Sequence, residues 1–167
     1  HHQIAHSLEN EDLTLYRRFG YGTSAFSEGW ALYAERLALE VGLAENPYDE
    51  LGILQSELFR SVRLVVDTGM HYKRWTREEA MDYMKSITGM SDTEVRVEIE
   101  RYIVWPGQAL SYKVGMIKML ELREKAKQEL GDQFNIKDFH SAVLDHGNPP
   151  LFIVEKMIDK MISDAKS

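Results

Sequence analysis

Apolar positions recur along this chain at three- and four-residue steps, and nowhere do they alternate strictly between hairpin turns, so the pattern predicts helices throughout. The most regular stretch runs from Ser27 to Glu40. It is rich in Ala, Leu and Glu, and Ser27 stands where an N-cap oxygen is needed. Glu28, Leu32, Glu35 and Leu39 follow i, i+4, i+7, i+11 spacing and share one stripe. Two carboxylates therefore lie on a face otherwise suited to burial, which demands a cation, a charged partner or several donors. The stretch carries either a site or an internal ion pair, the plain version being Glu35 with Arg36 or another arginine.

Around it the pattern predicts further elements. His1 to Glu9 reads as the tail of a helix broken at Asn10-Glu11-Asp12, and the glycines of Tyr16-Arg17-Arg18-Phe19-Gly20-Tyr21-Gly22 suggest an ordered loop. Gly42 and Asn46-Pro47 end the central helix. A second long helix follows from Tyr48 to Met70, with Leu51, Leu54, Leu58, Val62, Val65 and Val66 in helical period. Along it Arg63, Asp67 and His71 stand at i+4 steps, as an Arg63 to Asp67 ion pair with Asp67 orienting the His71 ring, or as a solvated charged edge.

Thr76 with Glu79 and Ser91 with Glu94 are in capping-box register. The first opens a short helix ending at Gly89. The second opens one carrying Val95, Val97, Ile99, Tyr102 and Ile103 towards Trp105. Pro106-Gly107 then interrupts, and a helix is predicted from Gln108 to Leu130, stopped by Gly131. Gln108, Tyr112 and Gly115 share a face at its start, where a glycine lets another backbone or a ligand approach, while Lys113 and Lys118 are expected to snorkel outward. Asn135 caps Ile136 to His146, and Leu151 to Ala165 forms a last helix with Phe152, Val154, Met157, Ile158 and Met161 inward. The expectation is a single all-α domain over residues 1–167, with seven or eight helices.

Composition narrows the function. The length, 167 residues, suffices for a substantial core, and the absence of cysteine excludes disulfides, thiolate metal sites and a Cys nucleophile. A net charge of -7 argues against nucleic acid and anionic membrane as partners. No apolar run approaches the ~20 residues of a membrane helix, and no signal pattern is present, so a soluble protein is expected, cytoplasmic or exported by a signal upstream. His2 and His6, at i, i+4, have the spacing to share a metal but lack the following Glu of a zincin helix, and a tag residue beside a surface histidine is the plainer reading. The opening on His1-His2-Gln3, without Met or cap, suggests a helix cut through.

Three separated strings resemble one family. They are Glu28-Gly29-Trp30-Ala31-Leu32-Tyr33-Ala34-Glu35, Val65-Val66-Asp67-Thr68-Gly69-Met70-His71, and the run from Tyr102 through Trp105-Pro106-Gly107-Gln108 to Gly115. In this order they resemble the bacterial domain of unknown function 885 family over essentially the whole chain. The family is similar to helical zinc metallopeptidases whose third metal ligand is a glutamate. Its motif His-Glu-x-x-Pro-Gly-His-His-x-Gln precedes the Glu-Gly-Trp-Ala string, and His1-His2-Gln3 matches only its end. The resemblance therefore implies the zincin-like C-terminal helical part of a longer peptidase, inactive alone.

Carried over, Glu28 would be the glutamate zinc ligand, with His1 matching the second histidine of the doublet, either of which is a candidate ligand. Glu35 and Asp67 would orient ligands or catalytic groups. Zinc with three protein ligands and an open position brings its water to a pKa of ~7 for attack on a peptide carbonyl. His71 and Tyr112 are candidate donors to the resulting oxyanion, and Arg63, Gln108 and Lys113 candidate substrate contacts, Arg by a bidentate grip on carboxylate. The alternative is a non-catalytic helical binding module that kept the groove without its metal base. A fragment is expected to expose an apolar face and oligomerise through it, a complete module not to gain stability from zinc. A metal-free serine hydrolase is disfavoured, since no Gly-x-Ser-x-Gly occurs.

Overall fold

A computed structural model describes residues 1–20 and 22–167; Tyr21, part of the expected loop, lies outside them. The fold is all-α, with no strand among the described residues. The α-helices are α1 (His2–Glu9), α2 (Ser24–Glu40), α3 (Pro47–His71), α4 (Arg77–Thr88), α5 (Asp92–Val104), α6 (Ser111–Leu130), α7 (Ile136–Leu144) and α8 (Leu151–Ala165). The chain forms two compact units, residues 1–33 with 114–167, and residues 34–113, the division falling within α2 and α6.

In the second unit, α3, α4 and α5 pack on one another around Val62, Val66, Ala80, Met84, Val95, Ile99, Tyr102 and Ala109. Local signals set the boundaries. Asn46 accepts from the backbone N–H groups of Tyr48 and Asp49 at the start of α3, ahead of Pro47. Thr76 and Ser91 close complete capping boxes with Glu79 and Glu94, and Gly89 ends α4 in the left-handed region at φ 68°.

The first unit buries Phe26, Trp30, Leu32, Tyr33, Met116, Met119, Phe139, Val143, Val154 and Ile158. In it α7 packs on α8 and also meets α1, where His6 Nε2 lies 2.8 Å from an Asp145 carboxylate oxygen. The Tyr33 hydroxyl reaches His140 Nε2 at 2.8 Å, and the His140 ring stands edge-on to Trp30.

Several expectations are corrected. The central helix begins at Ser24, so Ser27 is not its cap; its hydroxyl donates to the Thr23 carbonyl within the first turn. The stretch before it contains a π-helical turn at Tyr16–Gly20. Gln108–Leu110 is a 3-10 turn set off by Gly107 at φ 79°, and α6 starts only at Ser111. The helix from Ile136 stops at Leu144, before His146. Of the stripe predicted on α3, Val62 and Val66 are buried, but Leu51, Leu54 and Leu58 are exposed, because the core of the second unit packs only the C-terminal half of α3. Val97, Ile103 and Phe152 are exposed too.

Candidate functional site

Arg63, Asp67 and His71 stand one turn apart on α3, and each finds its partner on another element of the second unit. Arg63 is 6% exposed. Its Nε donates to the Tyr102 hydroxyl at 2.8 Å, and a terminal nitrogen donates to Glu98 at 3.2 Å. The rings of Phe59 and Tyr112 lie 4.1 and 4.9 Å from its guanidinium carbon, within cation–π range. The Tyr102 hydroxyl in turn donates to Glu98 at 2.5 Å. Arg101 completes the network, donating to Glu98 at 2.9 Å and to Gln108 Oε1 at 2.7 Å. Glu98 thus gathers three donors, enough to hold a carboxylate in a half-buried position.

This geometry corrects the pairing read from the sequence. Asp67, though one turn from Arg63, accepts the Gly107 N–H on its two oxygens at 3.2 and 3.1 Å. It ties the Trp105-Pro106-Gly107 turn to α3 and does not pair with Arg63, whose charge is met from α5. Nor does Asp67 orient His71, whose Nε2 lies 2.9 Å from the Tyr102 carbonyl. A carbonyl only accepts, so Nε2 carries the proton, and the neutral ring has Nδ1 left as an acceptor. Tyr112 is half-buried, and among the described residues no hydrogen bond engages its hydroxyl.

The electrostatics follow the contacts. Burial pushes the Glu98 carboxyl up, but the hydrogen bonds from Tyr102 and Arg101 and the charges of Arg63 and Arg101 outweigh it and hold Glu98 below the usual range. Burial, and then the bond to Glu98, push the Tyr102 hydroxyl up, so it stays protonated and remains a donor.

The other candidates of this unit form separate pairs. Lys113 does not snorkel; its Nζ donates to Glu57 at 2.5 Å, and Arg36 approaches the same carboxylate at 3.6 Å. Glu35 accepts from Ser56 at 3.3 Å and faces Arg60 at 3.8 Å, so its ion pair is with Arg60, across to α3, and not with Arg36. Arg36 is one residue further round α2, and its side chain points to Glu57 instead.

In the first unit, Glu28 is half-buried on α2, and no hydrogen bond or ion pair among the described residues engages its carboxylate. His1 is exposed at the start of α1, and His6 is already engaged by Asp145. A zinc centre needs about three protein ligands. Among the described residues no three His, Asp or Glu side chains come together to hold a metal, so Glu28 fits as one donor of a set these residues do not complete.

Comparison with known proteins places the chain. The family described as "Bacterial protein of unknown function (DUF885)" matches residues 1–158. The chain belongs to this family. Two solved structures share the DUF885 chain's fold. A "putative lipoprotein" from Colwellia psychrerythraea is 51% identical, with a TM-score of 0.94 over 98% of this chain and 28% of its own. A "putative lipoprotein of unknown function" from Shewanella oneidensis is 28% identical, with a TM-score of 0.86 over 94% of this chain and 28% of its own. The chain thus spans just over a quarter of the length of either. Among curated proteins no match was found. No helix of the described residues is long and apolar enough to cross a membrane.

Within the DUF885 chain, sequence reasoning missed Glu98 and Arg101 and took Tyr102 for core alone. A signal was present: Glu98, Arg101 and Tyr102 stand at i, i+3, i+4, so one helix face carries an acid, a base and a hydroxyl. Their partner Arg63 lies on another helix, 35 residues from Glu98, and no local spacing points to it.

Proposed function

We propose that this DUF885 chain is the C-terminal portion of a zinc-dependent peptidase that hydrolyses peptide bonds, with Glu28 as its contribution to the metal. The observation that supports the reading is the Glu28 carboxylate, half-buried and without a partner among the described residues, where Glu35 on the same helix is answered by Arg60 and Ser56. A half-buried carboxylate with no protein partner is met by water or by a cation, and a metal ion is the strongest such partner. No His-Glu pair occurs in the sequence, so on this reading the remaining ligand and the base lie outside these residues, and the chain by itself is inactive.

The metal, when bound, supplies the hydrolytic chemistry; the residues of this chain bind and orient. Tyr112, with its hydroxyl unengaged, is the proposed donor to the substrate. His71 donates its Nε2 proton in this way only by releasing the Tyr102 carbonyl. Arg63 grips a substrate carboxylate only by displacing Glu98, and Gln108 and Lys113 only by releasing Arg101 and Glu57. Glu35 and Asp67 orient their neighbours, Ser56 and the Gly107 turn.

Thermal unfolding with and without zinc, on this chain and on Glu28→Ala, tests the reading. The expected result is a zinc-dependent rise in midpoint that the substitution abolishes. Midpoints indifferent to zinc in both proteins would favour a non-catalytic helical binding module.

A further inference from the structure

Helix α1 turns polar side chains inward and apolar ones outward. It buries Gln3 and Ser7, 5% and 6% exposed, and leaves Ile4 and Leu8 56% and 37% exposed. Gln3 has two N–H donors and an oxygen acceptor, yet its one side-chain hydrogen bond among the described residues is a donation to Ser7 at 3.3 Å. The remaining donor and acceptor capacity of this amide is available to a ligand that enters beside it.

Gln3 and Ser7 line an open pocket of about 330 Å³, within the size range of small-ligand sites. Arg17, Arg18, Phe19 and Ser27 lie around it, and no Asp or Glu is among its lining residues. In a chain of net charge -7 that makes it a local concentration of positive charge. The two arginines differ. Arg18 is fixed by two donations to the Leu8 carbonyl at 3.0 and 2.5 Å. Arg17 is exposed, and no hydrogen bond or ion pair engages its guanidinium among the described residues.

We propose that this pocket binds a carboxylate-bearing peptide, Arg17 pairing with the carboxylate and the Gln3 amide with the adjoining peptide group. A guanidinium matches a carboxylate by two parallel N–H bonds, and a primary amide matches the donor and acceptor of a peptide unit. Phe19, 66% exposed, offers an apolar surface for the neighbouring side chain. That the ligand is a peptide rests on the peptidase reading; that it is an anion rests on the pocket.

Isothermal titration of the chain in EDTA tests this without metal. The probes are N-acetyl-dialanine with a free carboxylate, the same dipeptide as its amide, N-acetyl-Ala-Asp amide, and inorganic phosphate. The free acid is expected to bind roughly tenfold or more tightly than the amide. Arg17→Gln is expected to bring it down to the amide's affinity without moving the thermal midpoint, and Gln3→Leu to remove binding while leaving the midpoint equal or higher. Binding of the aspartyl amide in place of the dialanine acid keeps the proposal and assigns the carboxylate to a side chain. Affinities equal for the dialanine acid, its amide and the aspartyl amide, indifference of the tighter probe to Arg17→Gln, or Arg17-dependent binding of phosphate tighter than any peptide would overturn it. Because no metal is present, failure here leaves the zinc test standing, and failure of the zinc test leaves an Arg17-dependent peptide site intact.

Discussion

At Gly115 a methyl group has nowhere to go. A Cβ built there would lie 1.9 Å from the Ala25 carbonyl oxygen and 2.7 Å from the Gly29 Cα, so the first turns of α2 and α6 within their unit touch backbone to backbone. Gly115→Ala is expected to destabilise the protein by about 1–3 kcal/mol in urea unfolding, as overpacking against rigid backbone does. From the sequence this glycine permits the approach of a backbone or of a ligand, and the fold decides for the backbone of α2. Glu98 poses the complementary case. Its folded-state carboxyl lies below the usual range, so its contribution to stability is fully present above the unfolded value of about 4.3 and is lost as pH falls through the lower, folded one. Glu98→Gln is expected to flatten the loss of stability below pH of about 4.3 in acid titrations followed by circular dichroism. A slope unchanged from wild type would mean that the Arg63, Tyr102 and Arg101 contacts do not hold the carboxylate.

At the scale of the element, caps and ends were legible because their chemistry is local. Thr76 and Ser91 each answer an N–H three residues on, a spacing visible in the sequence. Thr76→Ala and Ser91→Ala are each expected to lower stability by about 1 kcal/mol, and together by nearly the sum, since the two caps share no partner. Burial along a helix was less legible. α3 carries the same periodic Leu and Val from end to end, yet Leu54 is 47% exposed and Val66 fully buried. Leu54→Ala is therefore expected to change stability by less than about 0.5 kcal/mol, and Val66→Ala to lower it by about 2 kcal/mol, in the same denaturant titration. Periodicity says which residues share a face; whether a second layer meets that face depends on elements far away in sequence.

For the whole molecule, membership of DUF885 and the all-α fold bound what the chain does, and zinc is the lever that separates the two functional readings. At a zinc concentration about 100 times the dissociation constant, linkage stabilises a bound state by about 2.7 kcal/mol, or roughly 5 to 10 °C in the midpoint of a chain this size. That rise is expected in the wild type and not in Glu28→Ala. The sequence by itself determined the helical fold, the Thr76, Ser91 and Asn135 caps and the family, since these rest on contacts within four residues and on strings that survive reading in order. It also marked Glu28 and Glu35 as carboxylates on an apolar stripe, and Arg63, Asp67 and His71 as an i+4 series of polar groups. Only the tertiary structure decided their partners: Arg60 for Glu35, Glu98 and Tyr102 for Arg63, the Gly107 N–H for Asp67, and the Tyr102 carbonyl for His71. A buried charge takes whichever donor or acceptor the fold brings within about 3 Å, and all of these come from distant segments of the chain, beyond the reach of helical spacing.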